Sequence, residues 1–228
     1  MKFYISCLFI LLFSLKFQAQ NDSIASKSSF SFKNILYNNE SQTSGYISYG
    51  YNYPFTKGQN FLNNALNPRG GFNFNINVFV YKQLYVGYQY NMNYFGVENP
   101  SLIGEYTSSR MQQEGIVVGY DFLPFDKWRL GVEYALDPNF RMRNIIENGD
   151  DFKDYGDLSS FRTYLSYEIT NRIHAFVSYS FNSVETSIEV PQELDAFFRE
   201  ATYNNFAFGL TFYFGKQDFL TTLSEYFK

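Results

Sequence analysis

The sequence predicts an all-β fold, an eight-stranded antiparallel up-and-down barrel that crosses a membrane, and three observations lead there. Segments of about ten residues carry an apolar or aromatic side chain at every second position, the period of a strand with two unlike faces. The opposite face is built from Asn, Ser, Gly and Tyr with little Lys, whereas a soluble sandwich solvates its outer face with abundant Lys and Glu. The connections between the segments alternate long and short without exception, as in a membrane barrel with tight turns at one end and long loops at the other.

Composition narrows the function. Of 228 residues, 27 are Phe, 21 Tyr and one Trp, while charged residues make up only 18%. That is not the composition of a disordered or nucleic-acid-binding chain. Lys and Arg number 18 against 22 Asp and Glu, a net charge of -4, so the basic footprint that polyphosphate requires is absent.

The first residues read as a secretory signal peptide, 1–19. Lys2 gives a positive start, 3–15 is almost unbroken apolar sequence, and Ala19-Gln20 offers the cleavage point. The apolar run falls short of the roughly 20 residues that span a bilayer as a helix. Cys7, the only cysteine, lies inside this leader, so the mature chain is expected to have no disulfide, thiolate catalyst or cysteine metal site. Residues 20–43, rich in Ser and Asn, read as a periplasmic lead-in segment.

The barrel is expected over 44–214. Strand one, 45–53, sets Ile47, Tyr49, Tyr51 and Tyr53 against Tyr46, Ser48, Gly50 and Asn52. Strand two, 71–81, alternates Phe72, Phe74, Ile76 and Val78 with Asn73, Asn75, Asn77 and Phe79. Strand three, 84–95, sets Val86, Tyr88, Tyr90 and Tyr94 against Tyr85, Gly87, Gln89 and Asn93. In strand four, 111–121, Ile116, Val118 and Tyr120 share parity with Gln112 and Glu114, which are expected above the apolar belt or beyond a bulge.

Strand five, 127–137, opposes Trp128, Leu130, Val132 and Tyr134 to Arg129, Gly131 and Glu133. Strand six, 159–169, opposes Phe161, Leu165 and Tyr167 to Arg162, Tyr164 and Glu168. Strand seven, 172–182, opposes Val177, Tyr179 and Phe181 to His174, Phe176 and Ser178. Strand eight, 203–214, opposes Phe206, Phe208, Leu210 and Phe212 to Asn205, Ala207 and Tyr213. The gaps between these segments are 17, 2, 15, 5, 21, 2 and 20 residues. Tail 215–228 reads as a short periplasmic amphipathic turn with Phe219, Leu220, Leu223 and Phe227 at helical spacing.

The pattern resembles the small eight-stranded outer-membrane β-barrels, and the leader ending in Ala-Gln resembles those of Bacteroidota envelope proteins. The aromatic last strand, 205–214, carries the most specific part of the likeness. That resemblance implies the outer membrane of a Gram-negative bacterium as the location, outer-membrane lipid and lipopolysaccharide as neighbours, and recognition of the last strand by the barrel-assembly machinery.

Inward parity collects Arg129, Glu133, Arg162, Glu168 and His174 in the lumen. Buried charges need partners, so a network of Arg129, Glu168 and His174 is expected near the periplasmic end, with Glu133 and Arg162 further up. Tyr120, Phe122 and Trp128 mark one aromatic girdle, and Tyr51, Tyr53, Tyr94, Tyr179 and Phe181 the other. Loop 138–158 holds Arg141, Arg143, Asp150, Asp151 and Asp154 as possible contacts, without the spacing of a calcium loop. Loop 191–201 places Leu194, Phe197 and Phe198 at helical spacing, to pack on the barrel mouth or form a contact patch.

No phosphate loop, His pair, cofactor motif or metal site is legible. The single histidine, His174, points inward near the periplasmic end, which disfavours a lipid-modifying triad with Ser178 and Glu168. An eight-stranded barrel is about filled by its own side chains. The expected role is therefore structural or interactive, through long loops or as the accessory of an envelope protein partner. A narrow conduit for small apolar solutes, opening past Phe79, Tyr85, Phe176 and Tyr213, is the alternative.

Overall fold

A computed structural model describes residues 42–227. The signal peptide with Cys7, and all but the last two residues of the lead-in, lie outside the described residues. Strands β1 (Gly45–Lys57), β2 (Leu66–Tyr81), β3 (Leu84–Val97), β4 (Ser108–Phe125), β5 (Trp128–Ile145), β6 (Asp151–Thr170), β7 (Ile173–Thr186) and β8 (Glu200–Phe214) pair in chain order, and β8 closes on β1. Closure leaves no strand edge, which a sheet in hydrocarbon requires because an unpaired backbone N–H or C=O there has no water to bind.

One row of cross-strand partners fixes the geometry. From Gly45 it runs through Val78, Val86, Val118, Tyr134, Phe161, Phe181 and Asn204 and returns to β1 at Phe55, a stagger of ten residues. With eight strands this implies a tilt of about 40° and a rise along the barrel axis of about 2.6 Å per residue. The apolar positions 206–214 of β8 then span about 21 Å, close to the belt of about 25 Å that lipid demands.

The belt faces outward on all sides: Tyr49, Val78, Val86, Ile116, Leu130, Leu165, Val177 and Phe208 are all exposed. In water a continuous apolar ring of this kind would far exceed the patches that monomeric soluble proteins tolerate. Inward positions are buried, among them Asn73, Asn75, Asn77, Gln89, Ser160 and Ser178.

Three two-residue turns, 82–83, 126–127 and 171–172, lie at one end. At the other end the strands run further than the alternation predicts. β5 reaches Ile145 and β6 starts at Asp151, so the expected loop 138–158 is mostly hairpin with 146–150 as its tip. Above the belt the outward face no longer needs to be apolar, and the period that reveals a strand in the sequence fades while the backbone ladder continues. Asp137, with φ 45, and Pro138 lie where the β5–β6 register breaks, between Tyr134 and Asn139.

Among the described residues four helices decorate the ends: α1 (Phe61–Asn64), α2 (Pro100–Ile103), α3 (Gln192–Arg199) and, beyond β8, α4 (Phe219–Tyr226). Asp218 caps α4: its carboxylate accepts from the Thr221 amide at 2.7 Å and from the Lys82 amide of the β2–β3 turn at 3.0 Å. One carboxylate thereby starts the helix and ties it to the barrel rim. Asp218→Ala is expected to cost α4 about 1 kcal/mol, read as faster amide exchange at Thr221 and Thr222 while exchange in β8 stays unchanged.

Candidate functional site

The lumen is filled in three layers. At the turn end lies an aromatic floor of Tyr46, Phe79, Tyr85, Tyr164 and Tyr213, all buried. Tyr46 is its hub, with ring centroids 5.5 Å from Tyr85 and 5.3 Å from Tyr213. Glycines make the room: a Cβ on Gly119 would lie 2.2 Å from the Tyr85 ring, and one on Gly131 would lie 2.1 Å from that of Tyr164.

Two buried ion pairs thread the floor. Arg162 donates to Glu133 Oε2 at 2.9 Å, and Tyr85 donates to the same oxygen at 3.2 Å. Glu133 and Arg162 are direct cross-strand partners, so the sheet register itself presents one charge to the other. Arg129 pairs with Asp121 at 3.4 Å and stacks over the Tyr213 ring at 4.5 Å. Asp121 also accepts from the Tyr164 hydroxyl, which lies 3.0 Å from that of Tyr46.

This corrects the network expected from parity. Arg129 takes Asp121 as its ion partner, a residue eight positions earlier across the β4–β5 turn. Glu168 stands opposite His174 in register yet makes no ion pair among the described residues. The β6–β7 ladder slips between Glu168 and Thr170, and Glu168 is half-buried at the rim. His174 is buried, with its ring 4.4 Å from that of Tyr213, and Ser178 is four residues further along β7, about 13 Å away along the strand.

Above the floor the lining is amide and hydroxyl. Asn52, Asn73, Gln89 and Asn205 turn side-chain atoms without a hydrogen-bond partner toward a space of about 10 Å³ beside Arg162 and Ser178. That is room for about one water. The mouth is closed by an apolar lid in which Phe61 and Leu62 of α1 pack with Phe95, Met111, Phe140, Met142 and Tyr203. From α3, Phe197 and Phe198 pack against this lid, and Phe198 stacks on Phe61 at 5.8 Å. Leu194 remains exposed.

On the outer wall, Tyr51, Tyr53, Tyr94 and Phe181 are exposed, and Tyr120, Phe122, Trp128 and Tyr179 are half-buried by neighbouring rings. Tyr120 and Phe122 lie 5.0 Å apart, as do Tyr179 and Phe181. Of the five expected loop residues only Asp150 is in the loop. Arg141 and Arg143 stand on β5, and Asp151 and Asp154 on β6. Arg143 pairs with Asp151, and Asn144 donates to Asp154 at 2.8 Å. Among the described residues no group of three or more His, Cys, Asp or Glu is placed to hold a metal ion.

No protein-family model matches the chain, and no curated protein sequence matches it. Solved structures do. Neisserial surface protein A superposes with a TM-score of 0.52 at 12% identity, covering 75% of this chain and 98% of that one. Ail, the attachment invasion locus protein of Yersinia pestis, gives 0.48 at 13% identity, covering 76% and 99%. The outer membrane protein AlkL, solved in lipid bilayers, gives 0.47 at 13% identity, covering 86% and 97%. The chain has the fold of the small eight-stranded outer-membrane β-barrels.

Proposed function

We propose that this chain is a Gram-negative outer-membrane barrel that acts through its exterior, as a structural or interaction protein toward lipopolysaccharide or an envelope protein partner, and neither conducts nor catalyses. The observation that carries the reading is the filled lumen: an aromatic floor crossed by two ion pairs, an amide layer with room for about one water, and an apolar lid. A solute crossing the barrel would have to break all three. The lone histidine supports the non-catalytic part, since it is buried against the Tyr213 ring and makes no ion pair with Glu168, the carboxylate opposite it.

Single-channel recording in planar bilayers tests it. Folded protein, identified by faster gel migration before boiling than after, is expected to give no conductance steps. Discrete steps from the wild type would overturn the filled-lumen reading. The apolar lining of the mouth favours one second reading, passage of small apolar solutes, which predicts uptake of an apolar dye by proteoliposomes that stops when Phe61 and Phe198 are covalently tethered through engineered cysteines.

A further inference from the structure

The extension of β4, β5 and β6 above the belt carries charges that the register sorts into rows. Arg110 on β4 stands opposite Arg143 on β5, and Arg143 opposite Lys153 on β6. The next row toward the membrane is Gln112, Arg141 and Tyr155, and the one below it Glu114, Asn139 and Asp157. Like charges placed directly opposite one another on a sheet repel. Three cations abreast therefore weaken this hairpin unless an anion lies across them. Asp151 meets Arg143, but Arg110, Arg141 and Lys153 make no ion pair among the described residues.

A recess opens beside these rows. It holds about 210 Å³ and is lined by Gln112, Glu114, Asn139, Phe140, Arg141, Tyr155 and Gly156. Its origin is local: the β5–β6 ladder is broken between Tyr134 and Asn139. Arg141 lines the recess with its Nε buried and unpartnered, its guanidinium 5.7 Å from the Tyr155 ring. The Glu114 carboxylate accepts a hydrogen bond from the Tyr88 hydroxyl at 2.7 Å.

Depth and neighbours say what kind of anion fits. Ile116 and Leu136 are the last exposed apolar residues of β4 and β5. At about 2.6 Å per residue the recess begins roughly 5 to 13 Å above them, and the row of three cations lies higher still. Those are the heights of a lipid headgroup and of sugars carried on it. In the same rows β3 remains apolar: Tyr90 faces Glu114, Met92 faces Gln112, and Tyr94 faces Arg110, with the guanidinium 5.8 Å from its ring. A wall of Tyr and Met side chains and a cationic wall stand side by side, which matches an amphiphile and not a free ion.

We infer that the outer wall of β4–β6 binds the phosphorylated sugar headgroup of an outer-leaflet glycolipid, with one phosphate in the recess on Arg141 and further anionic groups along Arg110, Arg143 and Lys153. This rests on the outer-membrane location proposed above and names the lipid-facing part of that role.

The test uses full-length protein folded in detergent and verified by its gel shift, titrated with bis-phosphorylated lipid A, with the same lipid dephosphorylated, and with inorganic phosphate, and read by native mass spectrometry. Lipid A is expected to bind at least tenfold more tightly than its dephosphorylated form, and R141Q/R143Q/K153Q to lose that preference while keeping the gel shift. Inorganic phosphate at millimolar concentration is expected not to compete. Equal binding of the two lipids, an unchanged preference in the triple variant, or competition by inorganic phosphate would each overturn the inference. Because the lumen takes no part, conductance steps would overturn the filled-lumen reading and leave this site standing.

Discussion

Asp121→Ala is expected to destabilise the barrel by about 3–5 kcal/mol, the range for removing one partner of a buried ion pair. Asp121 is fully buried, and Arg129 beside it is only 6% exposed, so the guanidinium left behind has no water to turn to. The same substitution takes the acceptor from Tyr164, whose hydroxyl links Asp121 to Tyr46 at the centre of the floor. Asp121→Asn keeps an acceptor for Tyr164 and loses only the charge, so a smaller loss of about 1–3 kcal/mol is expected. Urea titration of the folded protein, following the unboiled gel band, measures both. A loss under about 1 kcal/mol for the alanine variant would mean that the other contacts of Arg129, the Tyr213 ring among them, hold it without the carboxylate.

Gly131→Ala should be nearly as damaging, although it adds a single methyl group. The new carbon would lie 2.1 Å from the Tyr164 ring, inside any permitted contact. The ring cannot simply swing aside, because its hydroxyl is held by Asp121 and its face lies under Arg162 at 5.3 Å. Overpacking together with strained hydrogen bonds is expected to cost about 2–4 kcal/mol. Gly149→Ala is the contrast. Gly149 sits at the tip of the β5–β6 loop with nothing near its missing Cβ, and only its φ of 85° opposes a side chain. A loss of about 1 kcal/mol is expected there, and similar losses at the two sites would refute the interlocking of Tyr164 with Gly131.

Parity was legible in the sequence wherever the surroundings impose it. Lipid accepts only apolar side chains, so the outward sets of β2 and β8 alternate cleanly and their strands could be placed to within a few residues at the membrane. Above the belt that constraint ends. Arg141, Arg143 and Lys153 therefore read as loop residues although they stand on strands. The bulge at Asp137 and Pro138 also shifts the outward set of β5 from even to odd positions, which no alternating template anticipates.

The floor was legible in kind but not in pairing. Inward parity identified Arg129, Glu133 and Arg162 as charges in need of partners, and the cross-strand register supplied Glu133 with Arg162. Asp121 was missed because it sits at the end of the predicted fourth strand, where an acid reads as a turn residue. The only signal for it is its odd parity, shared with Val117 and Gly119, and the short turn that brings Arg129 back beside it.

The pairing of β8 with β1 has a consequence for how the chain assembles. Every other ladder joins strands adjacent in sequence, so each forms by closing a short loop at little entropic cost. The seam alone joins the two ends of the barrel, from Gly45 with Phe214 to Lys57 with Thr202. Until it zips, two strands hold unpaired amides in a medium that cannot hydrate them. A seven-stranded remnant has no way to satisfy those edges, so a chain truncated before β8 is expected not to persist as a folded barrel. Closure at this one ladder is what separates the barrel from a sheet with two open edges, and Gly50 faces Gly209 at its middle, where a Cβ on either would strike the opposing backbone.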